Sequence, residues 1–493
     1  MYELGPSEFY KNKTALVTGG TGLVGQLLIE KLIRLDARKI FIIVREKKGV
    51  SAEERTQKLL GTPIFESYLQ NENLNNNIQN KLIQKVILIE GDLAREGLGL
   101  NENDTNLLIE ETELIFHSAA HVRFDECLRD CITINVKGTK ELLQLSEKMS
   151  KLLSFVYVST AFCQIHHKVV EEKFYPPPID PEIMIKSLDL FESEEIMDIF
   201  TQKIISPLVN SYTFSKALAE DLIKSYSSTI PVCVVRPSII LTTYREPIPG
   251  FTSNLYGISG IICGVGIGVL RVANIGPETL SDIIPADYVT NFILLSAWKR
   301  SQRDTNSREL IFNCCASENS VFNKYVGDKS VEIGKTMPLK RSLWKICYTA
   351  YNFHGFFFIF ELFYHILPAF IFDFMLFLQL KNPKVVKIYR KIAKFQSAVG
   401  SFFNIDYKFS NKKMTTLIDE IPEKEKFECD IRKVVWDDFW PSYIRGLRRY
   451  MMKEDDDTIP EALSRHHKIT IVHNLMLVLI YCTILYVILK IVF

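Results

Sequence analysis

The sequence predicts an α/β fold in which a doubly wound parallel sheet carries helices on both faces. An apolar strand runs into a glycine-rich turn and a helix over residues 14–33, and strand-like and helix-like segments then alternate to about residue 300. Parallel strands need helical crossovers, so this alternation is typical of a parallel sheet. The further predicted strands lie near residues 39–44, 85–90, 113–117, 152–159 and 231–240.

At 493 residues the chain is too long for one ordinary domain. We predict a main α/β domain over residues 1–340, a mostly helical, aromatic-rich and membrane-associated domain over 341–465, and a transmembrane helix over 469–489. A long segment at about 162–211 interrupts the main domain and contains three consecutive prolines. Long segments of this kind are usually functional or disordered, so we interpret it as a lid or substrate wall.

Three glycines spaced three residues apart follow the first strand: Gly19, Gly22 and Gly25. Gly19 permits a sharp turn, Gly22 lets the main chain approach a pyrophosphate, and Gly25 lets the helix pack closely. The start of the helix offers free amides to phosphate groups. The motif predicts a Rossmann-type dinucleotide site, with Thr18 and Leu23 as flanking contacts, although the glycines alone are also compatible with a purely structural turn.

The end of the second strand indicates which dinucleotide binds. A site for NAD places an acid there, whereas this chain has Arg45, followed by Lys47 and Lys48, which suits the 2′-phosphate of NADPH. A solvated basic loop is the alternative interpretation. After the third strand, Asp92 is predicted to hydrogen-bond the adenine and Leu93 to pack against it.

Composition excludes several classes of partner. The chain has 59 Lys and Arg against 58 Asp and Glu, so no overall charge recruits nucleic acid. Ten cysteines show no zinc-ligand spacing, so we predict no metal site and a reducing, cytosolic environment for the catalytic part. The first residues lack an apolar stretch, so no secretory signal is expected.

The C-terminal segment Ile469–Leu489 contains 21 residues without Asp, Glu, Lys or Arg. At about 1.5 Å per residue such a helix spans roughly 30 Å, enough to cross a bilayer. The basic flank Arg465–Lys468 precedes it and only Lys490 follows, which predicts a cytosolic catalytic part. A buried core helix is the alternative, since His473 and Asn474 dilute the segment.

A second apolar segment, Tyr348–Phe377, contains 13 aromatic residues. Glu361, Pro368 and Asp373 interrupt it, so it offers no uninterrupted span of 20 apolar residues. We expect an interfacial or membrane-dipping helical pair, or else the aromatic core of a helical domain.

The chemistry of hydride transfer to a carbonyl requires an acid near the oxygen. Tyr212 and Lys216 are four residues apart and therefore share a helix face. Tyrosine has an ordinary pKa of about 10, and a nearby ammonium favours the phenolate, so we expect Lys216 to make Tyr212 a better acid–base group. Lys216 is also predicted to reach the cofactor ribose.

Position distinguishes this pair from two others with the same spacing, Tyr325–Lys329 and Tyr486–Lys490. Only Tyr212 lies between a strand ending in two hydroxyls and a strand ending in Arg-Pro-Ser. Thr160 or Ser159 is expected to donate to the substrate oxygen, and we favour Thr160 because it directly precedes Ala161. The alternative is that these hydroxyls only end a strand. Pro237 and Ser238 are assigned to the cofactor site.

The glycine motif, the VSTA segment, Tyr-x-x-x-Lys and Arg-Pro-Ser resemble the extended short-chain dehydrogenase/reductases. More narrowly, HSAAHVRFDE, INVKGT, EEKFYPPP, YTFSKALAEDL, VVRPSI, DIIPADYV and RGLRRYMMKED resemble the eukaryotic, particularly insect-type, fatty acyl-CoA reductases. The resemblance covers nearly the whole chain. Two positions depart from the family: His121 replaces a small hydroxyl residue, and VSTAF replaces the commoner VSTAY.

The resemblance implies an NADPH-dependent, alcohol-forming reductase. Such an enzyme reduces a long-chain acyl-CoA to a primary alcohol with two NADPH through a retained aldehyde. The alternatives are a membrane-bound reductase that acts on sterols or releases free aldehyde, and a non-catalytic membrane adaptor. We expect the protein to be located in the membrane of the endoplasmic reticulum, with the peroxisome as the second choice.

Overall fold

A computed structural model describes residues 4–66, 84–123, 126–190, 193–302 and 310–492. The chain forms two compact units, each built from three stretches. The first unit comprises Met1–Pro249, Asp282–Ser320 and Tyr407–Val434, and the second comprises Gly250–Ser281, Val321–Asp406 and Val435–Phe493. The units interleave along the sequence, whereas the predicted domains are consecutive. The predicted domain boundaries at about residues 340 and 465 stay a prediction.

The first unit is organised around a seven-stranded parallel sheet in the order β11-β6-β5-β4-β1-β2-β3. Its strands are β1 Thr14–Thr18, β2 Lys39–Val44, β3 Val86–Glu90, β4 Leu114–His117, β5 Ser154–Val158, β6 Val232–Pro237 and β11 Leu310–Cys314. A short parallel pair, β7 Ile239–Ile240 and β10 Ile283–Ile284, extends the unit. This order confirms the predicted doubly wound fold, because the chain starts in the centre and builds outward in both directions.

Helices of the first unit connect these strands. They are α1 Pro6–Tyr10, α2 Leu23–Arg34, α3 Ala52–Leu60, α4 Glu102–Glu111, α5 Leu128–Cys131, α6 Gly138–Ser146, α7 Pro181–Ser187, α8 Glu194–Ile205, α9 Ser211–Ser225, α11 Ala286–Ser301 and α16 Lys412–Glu420. A π turn, Ile132–Lys137, joins α5 to α6. Four single turns of 3-10 helix lie at Glu96–Gly99, Ala161–Gln164, Leu188–Leu190 and Ile431–Lys433, and a fifth at Ser317–Asn319.

The sheet is apolar on both faces because helices cover both of them. Every residue of β1, β5, β6 and β11 is buried. Within the described residues of the 162–211 segment, Met184, Leu188 and Met197 share one hydrophobic core with Phe155 and Phe214. This segment is therefore a packed helical wall, and its role toward a substrate stays a prediction.

The second unit is mainly helical. Its helices are α10 Ile258–Ile267, α12 Asn323–Thr336, α13 His354–Glu361, α14 Leu367–Leu378, α15 Val385–Phe403, α17 Trp436–Gly446 and α18 Ile459–Val492, with π turns at Leu362–Ile366 and Leu447–Met451 and a 3-10 turn at Asp456–Thr458. Two short strand pairs complete it: β8 Val272–Ala273 with β13 Thr349–Ala350, and β9 Leu280–Ser281 with β12 Val321–Phe322.

The aromatic segment differs from its prediction. It forms one helical run, from His354 to Leu378, in which a π turn joins α13 to α14. The interruption predicted at Pro368 does not break the helix. Pro368 follows directly after the π turn Leu362–Ile366, whose altered hydrogen-bond pattern accommodates a residue without an amide hydrogen. The second helix of the pair is instead α15, which contacts α14.

Two helices among the described residues are long and apolar enough to cross a membrane, Gly355–Leu378 and Asp456–Lys490. The second helix contains the predicted anchor 469–489, and the topology of that anchor stays a prediction.

Candidate active site

Polar side chains collect at the carboxyl edge of the parallel sheet. Thr18 and His117 end β1 and β4, and Thr160 lies two residues beyond β5. Arg45 follows β2 and Asp92 follows β3. Parallel strands all end at the same edge, which is where open α/β sheets bind their ligands. The fold thus brings the residues predicted for cofactor and catalysis to one edge.

The glycine turn has the geometry that its sequence predicts. Gly19 has a φ of +73°, a conformation that favours glycine, and a Cβ there would lie 2.7 Å from the amide nitrogen of Ala119. A Cβ at Gly25 would lie 2.3 Å from the carbonyl oxygen of Gly19. Gly22 is the N-cap of α2, and Leu23 begins that helix and is buried. The turn therefore leaves a cradle free of side chains beside a helix start.

A cluster of positive charge lies at the ends of β2 and β3. The Arg45 Nη1 atom is 3.1 Å from Asp92 Oδ2. Arg55 on α3 donates to the Arg45 carbonyl at 2.6 Å and to the Thr21 hydroxyl at 3.0 Å, so it ties the cluster to the glycine turn. Partial burial first, and then the neighbouring cations Arg45, Arg55, Lys48 and Arg123, lower the pKa of Lys47.

These features fit a nicotinamide dinucleotide. The open cradle and the start of α2 suit a pyrophosphate. Arg45 and Asp92 are predicted to contact the 2′-phosphate and the adenine, which belong to the same nucleoside, and the two side chains lie together. Lys48 sits at the tip of a tight turn with a φ of +55°. The sequence did not single out Arg55, because its proximity to Thr21 depends on how α3 packs.

The helix that carries Tyr212 begins one residue before it. The side chain of Asn210 caps α9 by accepting a hydrogen bond from the Thr213 amide at 2.9 Å. One turn later, the Lys216 ammonium donates to the Val158 carbonyl at 2.7 Å and lies 4.5 Å from the centre of the Tyr157 ring. Both contacts hold Lys216 at the carboxyl end of β5.

The structure separates the two candidate hydroxyls. Thr160 hydrogen-bonds Tyr212, whereas Ser159 donates to Glu220 at 2.6 Å. Successive residues of an extended chain point to opposite sides, so only one of the pair faces Tyr212. Thr160 is therefore the hydroxyl placed beside the tyrosine, as preferred from the sequence, and its catalytic role remains a prediction.

The pKa expected for Tyr212 is corrected by the structure. Desolvation raises the pKa of the phenol above its ordinary value, and the hydrogen bond from Thr160 offsets this only in part. Burial also lowers the pKa of Lys216, to about 7. Near neutral pH its amine is therefore protonated in a smaller fraction of molecules than that of an ordinary lysine. The expectation from spacing alone holds only for a fully protonated Lys216 beside a solvated Tyr212.

A buried ion pair joins Glu220 on α9 to Arg236 on β6. Arg236 donates to both carboxylate oxygens of Glu220, with distances of 2.8 and 2.7 Å, and the two side chains are 0% and 2% exposed. Burial raises the pKa of Glu220, but the Arg236 guanidinium outweighs it and the net shift is downward. Arg236 also donates to the carbonyls of Glu171 and Lys173. The pair thus connects α9, β6 and the 162–211 segment.

Sequence reasoning did not assign a role to Glu220, although it lies four residues after Lys216 on the same helix face. A further missed residue is Asn135, in the π turn Ile132–Lys137. Its side chain accepts from the His121 amide at 2.6 Å, and donates to the His121 carbonyl at 3.1 Å and to Ser215 at 2.9 Å. Asn135 therefore fixes His121 against the helix that carries Tyr212.

The remaining predicted contacts have structural partners. His117 contacts Thr18 at 2.7 Å, and burial lowers its pKa to about 3, which keeps it neutral. A Cβ at Gly138 would lie 2.6 Å from the Leu93 carbonyl oxygen, so α6 packs closely against Leu93 at this glycine.

At the end of β6 lie Pro237 and Ser238. Ser238 is buried beside the Asp282 carboxylate. A direct contact of these two residues with the cofactor stays a prediction.

In the part of the chain that the structure describes, one group of side chains has metal-ligand spacing. The ligand atoms of His121, Glu126 and Asp130 lie within 4.8 Å of one another. Glu126 already pairs with Arg123 at 3.2 Å, and Asp130 is exposed. Exposed acidic groups commonly cluster without a metal, so we assign no metal to this group.

The lowered pKa of Lys216 predicts a pH dependence of stability. Between about pH 7 and the ordinary lysine pKa of 10.5, the unfolded chain binds the proton that the folded chain has released. The free energy of unfolding should therefore rise with pH in this window, by about 1.4 kcal/mol per pH unit for one proton. Denaturation at pH 7, 8 and 9 should show this rise relative to Lys216→Met. Lys224→Met, an exposed control on the same helix, should keep the rise, and an equal slope in Lys216→Met would contradict the assignment.

Comparison with known proteins identifies the family. Two family models match the chain, both described as male sterility protein: an NAD-binding model over residues 17–293 and a second model over residues 364–454. Fatty acyl-CoA reductase wat of Drosophila melanogaster is 33% identical over 477 residues, which cover 96% of this chain and 90% of that protein. Fatty acyl-CoA reductase 1 of Xenopus laevis is 32% identical, over 94% of this chain and 89% of that protein.

Solved structures agree on the fold. The terminal R domain from the myxalamid PKS-NRPS biosynthetic pathway has a TM-score of 0.59 at 19% identity, covering 89% of this chain and 91% of that chain. At this identity the likeness concerns the fold alone. From the family models and the relatives that align along nearly the whole sequence, the chain belongs to the fatty acyl-CoA reductase family.

Proposed function

We propose that the protein reduces long-chain fatty acyl-CoA to a primary fatty alcohol, using two NADPH and retaining the aldehyde between the two steps. The observation that carries the proposal is the meeting of Thr160, Tyr212 and Lys216 at the carboxyl end of β5, in a member of this family. The bound nicotinamide would supply the hydride in each step.

The protein's own groups would activate the carbonyl. Tyr212 and Thr160 would donate hydrogen bonds to the thioester oxygen, and this polarisation is worth most as negative charge develops there. Hydride and proton addition to the polarised thioester would give a hemithioacetal. Its collapse would release the CoA thiol and leave the aldehyde. Tyr212, whose raised pKa keeps it protonated, would then act as general acid toward the aldehyde oxygen, so that each turnover takes up two protons with two hydrides.

The acyl chain explains a membrane location. Burial of each CH2 group is worth about 0.8 kcal/mol, so a long acyl chain partitions into the bilayer. We infer that residues 469–489 anchor the protein there with the first unit in the cytosol. We assign the protein to the membrane of the endoplasmic reticulum first and to that of the peroxisome second.

A product assay tests the proposal. Membranes containing the protein should convert palmitoyl-CoA and NADPH to hexadecanol, with two NADPH consumed per alcohol. Accumulation of free hexadecanal, or turnover of a sterol without fatty alcohol, would favour another membrane-bound reductase. No turnover of either substrate by correctly folded protein that binds NADPH would favour the non-catalytic adaptor.

Arg45 is expected to determine cofactor choice. In Arg45→Asp, a carboxylate would face the 2′-phosphate and would lie beside Asp92, so affinity for NADPH should fall at least about tenfold, whereas affinity for NADH should change little. Titration of the purified protein with each cofactor measures both values. Lys58→Asp, a change of the same charge at an exposed position of α3, should leave both affinities unchanged. An equal loss for both cofactors in Arg45→Asp would show that the phosphate binds elsewhere.

A further inference from the structure

The aromatic helix α13–α14 exposes an unusual amount of apolar surface within the second unit. Four phenylalanines spaced seven residues apart, Phe356, Phe363, Phe370 and Phe377, are 56, 60, 55 and 65% exposed. Monomeric soluble proteins rarely expose contiguous apolar surface of this extent. Something apolar is therefore expected to cover it.

The next helix carries a concentrated positive charge. Between Phe374 and Ile405 the sequence contains six lysines and arginines and no acid. Four of the six lie on α15, at Lys387, Arg390, Lys391 and Lys394, and all four are exposed. Their spacing of three and four residues places them on one face of the helix.

The two helices form one hairpin. Asp373 in the middle of α14 accepts hydrogen bonds from the amides of Val385 and Val386, at 2.8 and 2.9 Å, and so caps the start of α15. This contact holds the basic helix beside the aromatic one. We name the segment His354–Phe403 the aromatic–basic hairpin.

Both ends of the hairpin return to the same short stretch of the second unit. The Tyr351 amide donates to the Ala273 carbonyl at 3.0 Å, just before α13. At the far end, the Gly276 amide donates to the Phe403 carbonyl at 3.2 Å. An odd number of membrane crossings would place these two contacts on opposite sides of the bilayer, which the four residues from Ala273 to Gly276 cannot span.

The middle of the aromatic helix is tied to that stretch as well. The Arg271 amide donates to His365 Nε2 at 3.0 Å, and the Arg271 guanidinium donates to the Tyr364 carbonyl. If the helix crossed the bilayer, Arg271 and the adjoining strand would lie near its centre. Charged groups and open strand backbone are costly in hydrocarbon, so the geometry opposes a crossing.

We propose that the aromatic–basic hairpin is a monotopic membrane-binding element, whose aromatic helix lies in the plane of the bilayer interface and whose basic face contacts anionic lipid headgroups. Interfacial helices combine an aromatic face with a face rich in lysine and arginine in this way. Each basic residue near an anionic surface contributes roughly fivefold to binding. The element acts in addition to residues 469–489 and does not depend on the reaction proposed above.

Depth-dependent quenching tests the proposal on the full chain in proteoliposomes. The three cysteines that are not buried, Cys127, Cys347 and Cys482, are replaced by serine. A single cysteine carrying a nitrobenzoxadiazole dye is then placed in turn at each of the four exposed phenylalanines, and at Glu110 in the first unit as a control. Nitroxide groups on the lipid chains at a shallow and a deep position report the depth of the dye.

An in-plane helix predicts similar, shallow quenching at all four positions and none at Glu110. Deep quenching at Phe363 and Phe370 with shallow quenching at Phe356 and Phe377 would show a crossing helix and overturn the proposal. Absence of quenching at all four, in protein whose dye-free parent binds NADPH, would also overturn it.

The headgroup contact has its own test. The vesicles contain phosphatidylcholine with 30% phosphatidylserine, and the quenching gives the equilibrium constant for docking of the hairpin. This constant should be at least about tenfold lower for the double variant Lys387→Glu/Lys391→Glu than for wild type, and 1 M salt should lower the wild-type constant by a similar factor. The matched variant Lys148→Glu/Lys151→Glu changes exposed lysines of the first unit and should dock normally. Wild-type quenching that is equal in pure phosphatidylcholine and insensitive to salt would overturn the contact with anionic lipid.

Discussion

Tyr212→Phe is expected to lower kcat for acyl-CoA reduction by about 10²–10⁴-fold, the range that a positioned general acid contributes. Phenylalanine keeps the ring and removes only the hydroxyl that bonds Thr160, so the protein should fold and bind NADPH as before. Single-turnover reduction of palmitoyl-CoA, with cofactor affinity measured in parallel, separates chemistry from binding.

The chain provides a matched control. Tyr325 and Lys329 have the same spacing as Tyr212 and Lys216, but both side chains bond Asp437 on α17. Tyr325→Phe should therefore leave kcat unchanged. A Tyr212→Phe variant as active as wild type would refute the assigned role and would leave Thr160 as the remaining proton donor to examine.

Glu220→Gln is expected to lower the free energy of unfolding of the first unit by about 3–5 kcal/mol, because it leaves the Arg236 guanidinium buried without its counter-charge. The amide can still accept one hydrogen bond, so the loss should come from charge and not from packing. Denaturant titration followed by a probe in the first unit measures the change.

The pair Lys140–Glu182 is the control for this effect. Its side chains are 25% and 40% exposed, so Glu182→Gln should cost only about 0–1 kcal/mol. If Glu220→Gln were as stable as Glu182→Gln, the buried pair would not hold α9 against β6. The support that it gives to Ser159 and the 162–211 segment would then have to come from their apolar contacts.

Local patterns were enough to predict six of the seven strands of the sheet; the edge strand β11 was not predicted. The strands from β2 to β6 lie within a few residues of their predicted positions, because buried parallel strands are continuous apolar runs separated by helical periodicity. The edge at which Arg45, Asp92 and Thr160 meet also follows from the sequence, since it depends only on strand direction. The aromatic segment was less predictable: the π turn that allows one continuous helix past Glu361 and Pro368 depends on how the helix packs on β8.

The electrostatics of the site could not be predicted in the same way. The expected lowering of the pKa of Tyr212 was wrong, because desolvation depends on which residues from distant parts of the chain surround the phenol. Glu220 is 16 residues from Arg236 and lies on a different element, so no periodicity relates them. Arg55 reaches Thr21 only because α3 returns over the glycine turn.

The sequence by itself determined the doubly wound fold, the glycine cradle, the Tyr212–Lys216 pair and the family, because each depends on spacing within a few residues or on motifs read directly. Tertiary structure decided which of two adjacent hydroxyls faces Tyr212, which charges are buried, and that both ends of the aromatic–basic hairpin return to the same short stretch, Ala273–Gly276. These properties depend on contacts between residues far apart in the chain, whose burial and pairing exist only after folding.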